Sequence, residues 1–298
     1  MSGTVLDTFY RSLLLRANIG PLGTARRGLG ASGSPSSPVI SNSEVDRLGD
    51  RLRSVGATAG DLLQLDLFRE TFLPAYQSVY EQLRITGELF SGSTVIPGQA
   101  LSGRPRKSAL SIIGKLQRQP HTRLSQMQDI AGCRLIVPTA LAQEISTAIL
   151  DLDFEPVATD DRRTNPSHGY RAVHLVVNRD GKMIEVQIRT VAQDTWAQIS
   201  EKLADKFGQP IKYGAEVPSR PAVRRTLDAL SAVIQASEEN FAKVSAVESW
   251  FDDMDSDGDA GVVPEEVRIL KNALIGTERS IRLLSGSLVA LLDEVALP

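Results

Sequence analysis

The chain has 298 residues, 42% hydrophobic and 23% charged, with 33 Lys and Arg against 36 Asp and Glu for a net charge of −3. Such a composition supplies a sizeable core for one large or two small domains, and excludes both a globally disordered chain and a protein that coats nucleic acid by bulk charge. The single cysteine, Cys133, excludes an intramolecular disulfide framework and is expected as a small core residue in a reducing cytoplasm; no run of about 18 apolar residues suits a membrane span, so a soluble, cytoplasmic protein is expected.

Taken in chain order, residues 1–42 read as a flexible N-terminal arm and linker. MSGTVLDTFYRSLLLRA suits a short amphipathic helix, and GPLGTARRGLGASGSPSSP is a linker by composition. Arg11, Arg16, Arg26 and Arg27 stand here against Asp7 alone, a pattern that transit peptides share with mobile tails and partner-binding helices; the latter two are favoured. The basic start and long apolar run of a secretory signal are missing.

From Ser43 to about Ile85 the apolar spacing is helical, with a serine cap at its start. SALSIIGKLQRQ then reads as a helix, DIAGCRLIVP as a strand and TALAQEISTAILDL as a helix. SHGYRAVHLVVNRDGKMIEVQIRT is a hairpin: Val173, Leu175 and Val177 alternate before Asp180-Gly181, and Ile184, Val186 and Ile188 alternate after it. DTWAQISEKLADKFG is again helical. The expected class is α/β of the α+β kind, a mixed sheet flanked by helices over residues 43–212, followed by a helical C-terminal extension over 213–298. In that extension FDDMDSDGDAGVVPEE separates two helical stretches that would form a hairpin or a partner surface. Asp253, Asp255, Asp257 and Gly258 imitate a calcium loop, but Pro264 occupies the position that needs a bidentate Glu, so a solvated acidic turn is expected.

Two features carry chemistry. Arg104, Arg106, Lys107, Lys115, Arg118 and Arg123 occur between residues 104 and 123 without an acid, which suits a phosphate-rich small molecule; the plainer reading is a solvated basic helix face. On the second hairpin strand, Glu185, Gln187 and Arg189 line one face at spacing two. Asp129, at the head of the first strand, is the best second carboxylate. Two carboxylates with cations in one domain suit a magnesium nucleotide reaction, because Mg2+ takes one or two acids plus phosphate oxygens. Standing alone, Asp129 would only cap a turn and Glu185 would only pair with Arg189 or Lys202.

RPRKSALSIIGKL, QDIAGCRLIV, NPSHGYRAVHLVV, IEVQIRT and DTWAQISEKL occur in the order and approximate spacing of the RelA/SpoT alarmone-synthetase domain, and together they resemble a small alarmone synthetase over roughly Ala75 to Phe207. The resemblance implies a nucleotidyltransferase-like domain, ATP as pyrophosphoryl donor, Mg2+, and transfer to a ribose 3′-hydroxyl. It assigns Arg104, Arg106, Lys107, Ser111 and Lys115 to ATP, and Asp129 and Glu185 to metal and catalysis. Tyr170, which would stack on the acceptor base, and His174, Gln187 and Arg189 fall on the acceptor side.

The chain departs from the family at three places. Pro105 stands where the first arginine of Arg-x-Lys is usual, so Arg104 and Arg106 compete for that role; Arg162 and Arg163 replace hydrophobic residues; Glu201-Lys202 replaces a Glu-His pair. The acceptor accordingly stays open between GDP or GTP, giving (p)ppGpp, and the 3′ end of tRNA, as in a toxin, where Arg162 and Arg163 would help hold the acceptor stem. His121, His168 and His174 are the only histidines and none precedes an Asp, so no His-Asp hydrolase is expected. An antitoxin or a second protomer would bind the helical extensions, and an inactive nucleotide-binding module is the non-enzymatic alternative.

Overall fold

The computed structural model describes residues 40–54, 56–89, 100–217, 221–256 and 263–294. The expected N-terminal helix and linker up to residue 39, and Asp257 and Gly258 of the acidic turn, lie outside the described residues.

The helical stretch resolves into three helices, α1 (Asn42–Arg53), α2 (Ala59–Glu70) and α3 (Leu73–Glu88). The first cap is Ser41 rather than the expected Ser43: its hydroxyl and the Glu44 carboxylate exchange hydrogen bonds with each other's backbone amides, completing a capping box. Thr58 and Asp61 do the same for α2, and Pro74 sits in the first turn of α3, where a missing N–H costs nothing. A short strand β1 (Leu101–Arg104) leads to α4 (Ala109–Arg118), β2 (Ala131–Val137), α5 (Ala140–Phe154) and β3 (Ala158–Asp161). The hairpin β4 (Val173–Arg179) and β5 (Lys182–Thr190) follows, then α6 (Val191–Phe207), α7 (Pro221–Ser256) and α8 (Glu265–Glu294). The backbone of α7 is helical through Asp253 and Asp255, which is incompatible with a calcium loop there.

The hairpin forms as its sequence dictates. Asp180 (φ 51°) and Gly181 (φ 74°) both adopt left-handed backbone, the turn whose twist matches the strands, so Arg179 pairs with Lys182 and the alternation stays in register. Five strands make one sheet in the order β1-β2-β5-β4-β3; only β2 and β5 run parallel, the crossover between them passing through α5 and the hairpin. This mixed sheet with flanking helices is the expected fold class.

Strand periodicity separates the two sheet faces. Cys133, Leu135, Val137, Val173, Leu175, Ile184, Val186 and Ile188 point to one side and join Leu52, Leu65, Val79, Leu83 and Ile112 of the helices in a core in which most of these side chains are fully buried. Cys133 is part of that core, and burial pushes its thiol up to about 12. The opposite face carries the polar row and stays partly open. A second cluster lies beside it: Trp196, Ile199 and Leu203 of α6 pack with Leu227 and Ile234 of α7 and Ile281 of α8. Among the described residues no helix is long and apolar enough to cross a membrane.

Candidate active site

The register of the sheet decides which side chains meet on the open face. Arg104 of β1 lies opposite Gly132 of β2, which lies opposite Glu185 of β5; one pair along, Arg134 lies opposite Gln187, which lies opposite His174 of β4. Paired residues share a face, so Arg104, Arg134, Glu185, Gln187 and His174 converge. Arg106 does not join them: it is paired at 3.0 Å with Glu70 on α2. Of the two arginines that flank Pro105, Arg104 is the one on the site face.

Asp129 sits just ahead of β2 with an ammonium on each carboxylate oxygen. Lys107 Nζ donates to Oδ2, and Lys115 Nζ donates to Oδ1 at 2.8 Å. Lys107 is fixed by its backbone, whose N–H donates to the Ile130 carbonyl at 2.7 Å while its carbonyl accepts from Arg69 at 2.8 Å. Lys115 reaches the same carboxylate from α4, which Ser108 caps through the Ser111 amide. Ser111 itself stays at the exposed start of that helix, its hydroxyl 2.7 Å from that of Ser108. Burial works against ionisation of Asp129, but the two ammonium groups outweigh it and hold the carboxyl below its ordinary value.

Glu185 is gripped in the same manner by residues of β4 and β5. His174 Nδ1 lies 3.0 Å from Oε1, and Gln187 Nε2 donates to Oε2 at 2.8 Å. Burial and the nearby charge of Asp129 raise the Glu185 carboxyl, yet the hydrogen bonds and the attraction of the imidazole more than offset them. Glu185 is therefore ionised at neutral pH. Beyond it the row continues: Arg189 donates to Gln187 Oε1 and to the Tyr170 hydroxyl, each at 2.7 Å, and the Tyr170 hydroxyl lies 2.8 Å from His174 Nε2. Burial raises the Tyr170 phenol, which stays protonated.

Two members of the site carry no signal in the sequence. Asp194 is buried and holds Arg189 at 2.9 Å and Arg134 at 3.3 Å. An Asp in the first turn of a helix ordinarily answers the helix dipole, which hides this role. Arg134 shows in the linear sequence only as a polar residue at alternate position in an apolar strand. Arg162 and Arg163, in contrast, are spoken for: Arg162 pairs with Asp160 and Arg163 with Asp161, each at 2.6 Å, so this segment contributes no net positive charge. Arg162 still lies 5.8 Å from the centre of the Tyr170 ring.

Nothing among the described residues groups three or more His, Cys, Asp and Glu side chains for a metal. The two carboxylates on this face fit the other kind of site, one in which a hard cation arrives with phosphate oxygens and takes few protein ligands.

A mixed α/β sheet with two carboxylates and several cations on its open face has the chemistry to meet phosphate groups. More narrowly, residues 103–209 match the model of the region found in RelA / SpoT proteins, and the fold is similar to that of a small alarmone synthetase. An uncharacterized protein of Mycobacterium tuberculosis is 34% identical over 182 residues, which cover 60% of this chain and 64% of that one. The chain thus spans just under two thirds of that relative's length. GTP pyrophosphokinase YjbM of Bacillus subtilis is 28% identical over 204 residues, 61% of this chain and 92% of its own. Among solved structures, small alarmone synthetase 1 of Bacillus subtilis bound to its product pppGpp superposes with a TM-score of 0.50 and 25% identity over 61% of this chain and 97% of that chain.

Proposed function

We propose that the protein is an ATP-dependent pyrophosphokinase that transfers the β,γ-pyrophosphoryl group of ATP to the ribose 3′-hydroxyl of GDP or GTP. The observation that carries this reading is the ionised Glu185, held by His174 and Gln187, on the same sheet face as the Asp129–Lys107–Lys115 cluster. The likeness to a Bacillus subtilis GTP pyrophosphokinase, and to a Bacillus subtilis small alarmone synthetase solved with pppGpp, supports the same substrate class.

The division of labour follows from charge. Lys107, Lys115 and Arg104 neutralise the triphosphate and orient its β-phosphorus, which is most of what phosphoryl transfer requires. Glu185 accepts the proton of the 3′-hydroxyl as its oxygen bonds to that phosphorus; the bond to the bridging oxygen breaks and AMP leaves. Asp129 and Glu185 would hold Mg2+ delivered with ATP, which when bound neutralises charge on the phosphate oxygens. Tyr170 offers its ring to the acceptor base, with Arg189 and His174 fixing its hydroxyl.

The neutralised Arg162 and Arg163 favour a mononucleotide acceptor over the tRNA 3′ end. The test is transfer of label from γ-labelled ATP to GDP, GTP, ATP and bulk tRNA offered separately. Label is expected on GDP or GTP; label on tRNA alone overturns the acceptor assignment, and label on none overturns the enzymatic reading.

A further inference from the structure

We propose that α7, which lies outside residues 103–209, is a positioning clamp for the loop Ser167–Arg171 that carries Tyr170; the inference rests on the acceptor role assigned to that tyrosine. The loop has an expensive backbone. His168 (φ 53°) and Gly169 (φ 88°) are both left-handed, and the turn is closed by the paired amides and carbonyls of Ser167 and Tyr170 at 3.0 and 3.2 Å. One face of α7 compensates. Arg224 donates to the His168 carbonyl at 2.8 Å, and Ser231 Oγ donates to the Gly169 carbonyl at 2.7 Å. In return Arg171 donates to the Ser231 carbonyl at 2.9 Å and to the side chains of Ser231 and Gln235.

These four positions, 224, 228, 231 and 235, recur at three and four, with Asp228 paired to Arg224 to fix its fork. Arg171, Arg224 and Ser231 are each buried, so a lost partner leaves a desolvated polar group rather than one rescued by water. A side chain at Gly169 would meet Trp196 at 2.9 Å and Ser231 at 3.2 Å, so the loop is wedged as well as bonded. One turn further along α7, Glu238 accepts from Thr190 Oγ1 at 2.6 Å and from Gln193, at the turn that follows Arg189. The same helix therefore fixes Tyr170 and the residue next to Arg189, the two ends of the hydrogen bond that orients the phenol. Among the described residues, the cluster of Asp129, Lys107 and Lys115 receives no such bond from α7.

The test compares wild type with Ser231→Ala, Gln235→Ala and the conservative Ser231→Thr, by amide hydrogen exchange and by initial rates at varied ATP and varied acceptor. Loss of a clamp bond should speed exchange of the Ser167 and Tyr170 amides about tenfold while β4 and β5 amides hold, and should raise the acceptor KM by a similar factor with the ATP KM unchanged. Ser231→Thr keeps the hydroxyl and should resemble wild type. Unchanged loop exchange, or acceptor and ATP KM rising together, overturns the clamp. Should wild type transfer to no acceptor, the pyrophosphokinase reading fails, and the exchange comparison alone still decides whether α7 holds the loop.

Discussion

His174 stands between Tyr170 and Glu185, with Nε2 2.8 Å from the phenol oxygen and Nδ1 3.0 Å from the carboxylate. Arg189 has only donors, so the phenol oxygen accepts from it, and the ionised Glu185 carboxylate accepts from His174 Nδ1. The imidazole thus links the two, bonded to the Tyr170 hydroxyl on one side and to the proposed base on the other.

Tyr170→Phe separates the two functions of that tyrosine. The ring survives, while His174 Nε2 loses its hydroxyl partner and Arg189 one acceptor. We expect kcat to fall with little change in acceptor KM, and Tyr170→Ala to raise the acceptor KM as well. Steady-state kinetics with GDP as varied substrate checks this; a Phe variant at the wild-type kcat would show the chain of bonds to be idle.

Arg162 and Arg163 are held by Asp160 and Asp161 at the strand β3 edge. Replacing both by Gln should leave transfer to GDP within about threefold of wild type, the scale on which exposed ion pairs act. The same double variant should cripple transfer to tRNA if RNA is the acceptor. Equal losses with both acceptors would remove the basis for telling them apart.

Glu238 supplies a pH signature. Burial raises its carboxyl, and Arg171 and Arg163, with hydrogen bonds from Thr190 and Gln193, oppose this without cancelling it. A carboxyl raised in the folded state favours the protonated form, so its ionisation costs stability increasingly as pH climbs from the ordinary glutamate value of about 4.3 through the folded one. Glu238→Gln does not titrate. The difference in melting temperature, variant minus wild type, should therefore grow from about pH 4 to pH 8; a difference that is flat or shrinks would contradict the assignment.

Leu135, fully buried on the core face of β2, tests the sheet that carries the site. Leu135→Ala should cost about 2–5 kcal/mol in denaturant unfolding, the range for emptying a packed aliphatic site. A cost below about 1 kcal/mol would mean that the strand is less tightly packed than described.

The hairpin and its polar row were legible because the information is local. Asp180-Gly181 fixes the turn, the turn fixes the register, and the period of two then places Glu185, Gln187 and Arg189 together. The starts of α1, α2 and α3 were also written in the sequence, in Ser41 with Glu44, in Thr58 with Asp61 and in Pro74, but a continuous apolar spacing masks them. Which of Arg104 and Arg106 faces the site needed the β1–β2 register, and the pairing of Arg162 and Arg163 needed the chain to curl back on its own strand. The hold of Arg224 and Ser231 on a loop some 60 residues away is a long-range contact that no local pattern encodes.

The most direct measurement is single-turnover transfer from ATP to GDP by wild type and Glu185→Gln, with ATP affinity determined on the same samples. At ATP concentrations that saturate both proteins, transfer by wild type and a loss of about 10²–10⁴ in the variant are expected, as for removal of a general base. Transfer at the wild-type rate by Glu185→Gln, or none to a guanine nucleotide by wild type, would contradict the proposed function.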